Sequence, residues 1–312
     1  MKEFRRLLVL VTDTCDSRPA IRRAVNLARM GNVHLTLLDV AEPMAHYLRI
    51  YLSEAESARL EAAEERRRTD RLGMLVAEAA REGMAAATRK VTGTLFRAAI
   101  QEVLAGGYDL LIKTVDTSEP AQLAVHGALD RHLLRKCPCP VWIEDEKGPE
   151  QLRRILVAVN PDPAAPEDHA LAVVLLRSAA ALAEQHGADL HVIHAWKVPG
   201  EWTVQPGAEA DPELAPLLGQ VMNRHAHQLE EALRAADVPV GQVRLHLVHQ
   251  RASRAIIAAV QTVAPDLLVL GTLGRTGVPG FFIGNTAERV LSEVHCSVLA
   301  RKPVGFVSPV TL

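Results

Sequence analysis

"RRILVAVNPD" (residues 153–162) decides the fold, because the chain has already carried nearly the same run as "RRLLVLVTD" (5–13). Further along, "DLLIKT" (109–114) returns as "DLLVLG" (266–271), a shift of 157 residues (266 − 109). The same shift lays "CPVWI" (139–143) on "CSVLA" (296–300) without a gap. Start and end signals that recur in matching order mean two homologous domains. The boundary falls in "EDEKGPEQ" (144–151), which is charged and holds Gly148 and Pro149 as a linker does. The domains are therefore expected over residues 1–146 and 152–305.

Within each half, short β-branched or Leu-rich runs alternate with helical periods. The runs at 6–11, 33–40, 86–91, 109–114 and 140–144 read as strands buried on both faces. The second half repeats them near 154–160, 189–195, 242–249, 266–270 and 297–301. Between them, 16–31 reads as a helix with Ile21, Val25, Leu27 and Ala28 inward and Arg22, Arg23 and Arg29 on the wet face. Ser53 and Glu56 fit a capping box opening a longer helix. Residues 94–107 form a third helix, closing on Gly106. Helices are expected near 167–186, 212–236, 252–263 and 285–294 in the second half. Strand–helix alternation with right-handed crossovers gives a doubly wound, five-stranded parallel α/β sheet in each half.

Composition narrows the function. Of 312 residues, 48% are hydrophobic and only 4% aromatic, so the core is aliphatic, and the net charge is −2. The first 150 residues carry 22 basic and 22 acidic side chains, so no basic footprint for nucleic acid or a membrane surface stands out. No apolar run approaches the ~20 residues of a membrane span. Four scattered cysteines suit a reducing, cytoplasmic compartment better than a disulfide framework.

In such a sheet, ligands sit beyond the carboxyl ends of the strands. "GTLGRTGVPGFFIGNTAERVL" (271–291) follows the strand "DLLVL" there. Gly271 and Gly274 open a loop whose N–H groups can face an anion, and Gly284 precedes a helix whose positive end suits phosphate. Asn285 or Thr286 can cap that helix or bond a phosphate oxygen. A glycine cluster alone reads equally as an easy surface loop, and neither a Walker A loop nor G-x-G-x-x-G is present.

The stretch resembles the universal stress protein motif G-x2-G-x9-G-(S/T), which in that family holds the ribose and phosphates of ATP. Gly271, Gly274 and Gly284 match its glycines; Asn285 departs from the final Ser/Thr, with Thr286 next. Together with "HLLRKCPCPVW" (132–142), the chain is similar to the tandem, two-domain members of that family. The resemblance implies strand order 3-2-1-4-5, as in adenine nucleotide alpha hydrolase-like folds. It implies a non-catalytic stress-response regulator binding ATP, with or without magnesium, in the C-terminal domain. The family's aspartate at the end of the first strand is replaced by Asn160 there, with Ala195 beside His194 completing the base side. In the first half, Thr12 or Asp13 takes that place, and Thr114, Thr117 and Gly127 fall on the three glycines, so its site is silent or altered. The resemblance also implies that the edge strands "CPVWI" and "CSVLA" pair antiparallel, making one chain an internal pseudo-dimer with Trp142 near the seam. Such a monomer is open to further dimerisation. A carrier or sensor of a different phosphorylated or acylated molecule in the same pocket is the second reading.

Other features carry plainer readings. Arg275 and Thr276 are loop-tip groups able to reach a phosphate, and "FFI" (281–283) covers the ligand or packs on the partner domain. His194 has a structural role in packing or hydrogen bonding. His225 and His227 point different ways on one helix and make no metal pair. Cys137 and Cys139 mark entry into a buried last strand rather than a metal site. "EERRRTDR" (64–71) is the wet face of a helix. No nucleophile–base–orienter set appears, so no catalytic residue is assigned.

Overall fold

The computed structural model describes residues 4–29, 31, 33–43, 51–116, 127–197, 215–272 and 284–312. The chain separates into two compact units, one of residues 2–150 with 307–312 and one of 151–306.

In the first unit, β1 (Arg6–Val11), β2 (His34–Ala41), β3 (Ala86–Thr92), β4 (Leu110–Thr114) and β5 (Val141–Glu144) form a sheet in the order β3-β2-β1-β4-β5. Every pair is parallel. Helices α1 (Arg18–Ala28), α2 (Glu54–Arg81), α3 (Leu95–Gly106) and α4 (Ala128–Lys136) fill the crossovers. The second unit repeats the plan with β6 (Arg154–Ala158), β7 (Asp189–Trp196), β8 (Val243–His249), β9 (Leu267–Gly271) and β10 (Ser297–Arg301), ordered β8-β7-β6-β9-β10 and again parallel. Its helices are α5 (Pro166–His186), α6 (Ala215–Ala235), α7 (Ala252–Val263) and α8 (Asn285–Leu291). This is the α/β, 3-2-1-4-5 arrangement expected for each half.

The sequence repeat has a hydrogen-bond counterpart. Asp109 accepts the N–H groups of Arg5 and Arg6 at 2.8 and 2.9 Å. Asp266 accepts those of Arg153 and Arg154 at 2.6 and 2.9 Å. In each unit an aspartate just before the fourth strand thus ties off the entry to the first. The expected capping box at Ser53 and Glu56 is formed.

Several local expectations are corrected. The outer strands β3 and β8 are mostly exposed or half-buried rather than buried on both faces. They close one side of their sheets, and β3 sends Arg89 to Glu102 and Lys90 to Glu65. Arg23 is buried instead of wet: its guanidinium grips Glu144 at 2.9–3.0 Å and donates to the Pro149 and Glu150 carbonyls. The same carboxylate accepts Trp142 Nε1–H at 2.5 Å. Arg68, in the charge run, is also buried, bonded to Asp39 inside β2, while Arg71 reaches the other oxygen of Asp39 at 2.9 Å. Both misreadings share a cause: an arginine facing inward when the strand beneath supplies a carboxylate looks, by periodicity, like one facing water. The left-handed residue ending α3 is Gly107 (φ +59°), one beyond Gly106. Helix α8 stops at Leu291, short of 294, with Ser292 as its cap. No described helix is long and apolar enough to cross a membrane.

Candidate functional site

In the second unit, a cavity of about 500 Å³ opens beyond the carboxyl ends of β6, β7 and β9, where α5, α7 and α8 begin. Its volume lies in the range of small-molecule sites. The floor is aliphatic: Ala158, Leu171, Leu175, Ile193, Ile256 and Leu270. The rim is polar, with Asn160, Asp168, Lys197, Gln250 and Arg251. The third side is the start of α8, from Gly284 to Ala287. Of the residues singled out in the sequence, Asn160, Ala195, Gly271, Gly284, Asn285 and Thr286 all line this cavity. Gly274 lies outside the described residues, as do Thr117, Arg275, Thr276 and Phe281–Ile283.

The glycines act in different ways. A Cβ on Gly271 would stand 2.7 Å from Leu171 Cδ2, so at this position a glycine lets α5 pack against the end of β9. Gly284 is the N-cap of α8 in an extended conformation (φ −58°, ψ 141°). Its N–H donates to the Thr272 carbonyl at 3.1 Å, and the Thr272 N–H donates to Arg301 O at 3.1 Å. These bonds bring residues 272 and 284 together at the cavity. The first intrahelical bond of α8 is Glu288 N–H to Gly284 O, 3.0 Å. The N–H groups of Asn285, Thr286 and Ala287 therefore lack intrahelical acceptors at the cavity wall.

Asn160 is tethered. Its Nδ2 donates to Asp168 Oδ2 at 3.2 Å, and since a carboxylate only accepts, the amide oxygen is turned the other way. A carboxylate from α5, eight residues later in the chain, thus stands against the Asn160 amide at the cavity rim. Sequence reading missed Asp168; an acidic residue in the first turn after the loop was the available signal.

Beneath this rim, His194 has the structural role expected of it. It is 2% exposed, with Nδ1 3.2 Å from Val159 O and Nε2 3.0 Å from His225 Nδ1. The carbonyl can only accept, so Nδ1 carries the proton and Nε2 accepts from His225. Burial, opposed by the bond to Val159, pulls the His194 pKa down to about 4, and burial lowers that of His225. The indole of Trp196 stacks on the His225 ring on α6 and the His249 ring on β8. His225 thus has its partner across the fold, on β7, a pairing that spacing along its own helix could not reveal. Among the described residues, no group of three histidine, cysteine or acidic side chains is placed to hold a metal ion.

The equivalent place in the first unit is built differently. Under the repeat, Leu270 and Ala287 of the cavity correspond to Lys113 and Asp130. Lys113 Nζ lies 3.0 Å from Asp130 Oδ1, with both side chains wholly buried. Lys113 also donates to Thr114 O at 2.7 Å, and the Asp116 N–H reaches Asp130 Oδ2 at 3.5 Å. Asp130 is the third residue of α4, so its carboxylate occupies the positive end of that helix as a resident anion. A lysine inside the apolar run "DLLIKT" was the legible sign, since a buried charge requires a partner.

Comparisons with known proteins agree with this double architecture. The sequence profile described as the universal stress protein family matches residues 3–143 and again 151–302. Universal stress protein E of Escherichia coli strain K12 is 30% identical over 316 residues, covering 100% of this chain and 98% of that protein. A protein of unknown function from Pseudomonas aeruginosa PAO1 is similar in structure, with TM-score 0.71, 26% identity, and coverage of 97% of this chain and 94% of that one. A universal stress protein from Archaeoglobus fulgidus shares the fold at TM-score 0.63 and 16% identity, covering 95% of this chain and 98% of its own. Matched twice along its length by the family profile and aligned end to end with a relative that bears the family's name, the chain belongs to the universal stress protein family.

Proposed function

We propose that the chain is a non-catalytic stress-response regulator whose second unit binds an adenine nucleotide, ATP, and whose first unit does not. The observation that carries this reading is convergence: Asn160, Ala195, Gly271, Gly284, Asn285 and Thr286, separated by up to 126 residues (286 − 160), line one cavity. The N–H groups at the start of α8 suit phosphate oxygens, the aliphatic floor suits a ribose and base, and the fixed Asn160 oxygen suits an amino group. A regulatory role is supported by the lining: among the described residues it holds no histidine, cysteine or serine, and its carboxylate, Asp168, is engaged with Asn160.

The decisive variant borrows the first unit's chemistry. Ala287→Asp places a carboxylate at the α8 N-terminus, as Asp130 does in α4, and should weaken ATP binding at least about tenfold, the equivalent of about 1.4 kcal/mol. Titration calorimetry with and without magnesium measures it; undiminished binding would place the phosphates elsewhere. The aliphatic floor favours one second reading, a carrier of another phosphorylated or acylated molecule. Mass spectrometry of whatever leaves the purified protein on denaturation separates the two.

A further inference from the structure

We propose that Cys137 and Cys139 form a redox-sensing dithiol in the first unit, closed by hydroperoxide into a reversible disulfide. Their sulfur atoms lie 3.5 Å apart, at contact, across the bend between α4 and β5. Both residues are thiols in the structure. Cys137 caps α4 in an extended conformation (φ −68°, ψ 130°), its N–H donating to Leu133 O at 3.0 Å. Pro138 restricts the backbone between the two and so limits the conformations that would part them. The other cysteines are placed differently. Cys15 Sγ meets the Thr12 hydroxyl at 3.1 Å and the Thr114 carbonyl at 3.5 Å, and Cys296 belongs to the second unit. Among the described residues, no group of three metal-ligating side chains includes these thiols, as a closed zinc site would need.

Exposure assigns the order of events. Cys137 is wholly buried and Cys139 is 9% exposed, so Cys139 meets the oxidant first and Cys137 resolves. The Cys139 thiolate attacks hydrogen peroxide; an S–O bond forms, the O–O bond breaks, and the departing hydroxide leaves as water with the thiol's proton. The Cys137 sulfur then attacks the Cys139 sulfur; the S–S bond forms, the S–O bond breaks, and a second water leaves with the Cys137 proton. The thiols give up two electrons and two protons, and the peroxide is reduced to two waters. A bridge spanning a single residue closes almost no chain entropy and holds a constrained loop, so it is readily reduced again. That lability suits a sensor rather than a structural staple. Closure also tugs on the last turn of α4, where the Ser308 hydroxyl donates to Lys136 O at 2.7 Å.

The test treats the full-length protein with hydrogen peroxide, blocks remaining thiols with iodoacetamide under denaturing conditions, and maps the peptides by mass spectrometry. The expected result is loss of alkylation at Cys137 and Cys139 together, a peptide lighter by two hydrogens, and full restoration by dithiothreitol. Amide exchange should quicken in 132–139 and 307–312 on oxidation, as closure pulls on the last turn of α4, but not in β6 or β9. In Cys137→Ser, dimedone should trap Cys139 as sulfenic acid. Retention of alkylation at both positions in the wild-type protein, while Cys15 or Cys296 is oxidised, would overturn the proposal without recourse to any variant.

Discussion

Single residues show how one plan serves two ends. Lys113 and Asp130 are a buried pair whose members depend on each other, so removing one strands the other's charge. Lys113→Met should cost about 3–5 kcal/mol of first-unit stability. The double change Lys113→Leu, Asp130→Ala, which installs the residues standing at the equivalent places in the second unit, should recover most of that loss. Urea unfolding followed by the fluorescence of buried Trp142 reads both; a double variant as unstable as the single one would refute the pairing. His194 makes the opposite use of a buried polar group. Its pKa falls from the ordinary 6.5 to about 4 on folding, so the folded state prefers it neutral. Its contribution is full above about pH 6.5 and is lost progressively as pH falls towards 4, with Asp162 opposing and His225 adding to the shift. Urea unfolding at about pH 7.5 and about pH 5 should show the second unit weakening on acidification in the wild type. His194→Gln, which cannot titrate, should show less of that acid sensitivity, whatever its starting stability.

At the scale of elements, the register of β2 and β7 explains two buried groups at once. Arg6 pairs with His34 and Arg154 with Asp189, which sets Asp39 of β2 opposite His194 of β7 in the repeat. Each anchors the helix that follows its strand: Asp39 holds α2 through Arg68 and Arg71, and His194 holds α6 through His225. One unit uses charges and the other neutral rings for the same mechanical task. The outer strands carry a different burden. β3 presents unpaired N–H and C=O groups on one side, and Arg89 and Lys90 discourage another strand from adding there. Replacing both by valine should leave the fold intact but promote self-association at micromolar concentration, measured by light scattering. A variant as monodisperse as the parent would mean that this edge needs no such protection.

Across the whole molecule, among the described residues, the place of the second unit's cavity is taken in the first unit by the buried Lys113–Asp130 pair. The expected stoichiometry is therefore one nucleotide per chain. Calorimetry that found two equivalent sites would show that the Lys113–Asp130 pair yields to ligand. The final residues follow the same logic of division, since 307–312 group with the first unit although they end the chain. There Gln101 Nε2 donates to Thr311 O at 2.9 Å.

The sequence by itself determined the duplication, the α/β class, and the residues at the end of β9 and start of α8, while the strand order came only from the resemblance to a known family. These are local signals: a strand of aliphatic residues, a glycine before a helix, or an aspartate recurring before "LL" is recognisable wherever its partners lie. Only the tertiary structure decided which polar groups turn inward. Arg23 and Arg68 look like surface residues until Glu144 and Asp39 are seen beneath them. His225 looks idle until β7 brings His194 to it, and Gly271 looks like a phosphate residue until Leu171 shows how closely α5 packs there. The reason is physical: a buried charge or ring is stabilised by a partner distant in sequence, and periodicity along one element carries no record of what the neighbouring element presents.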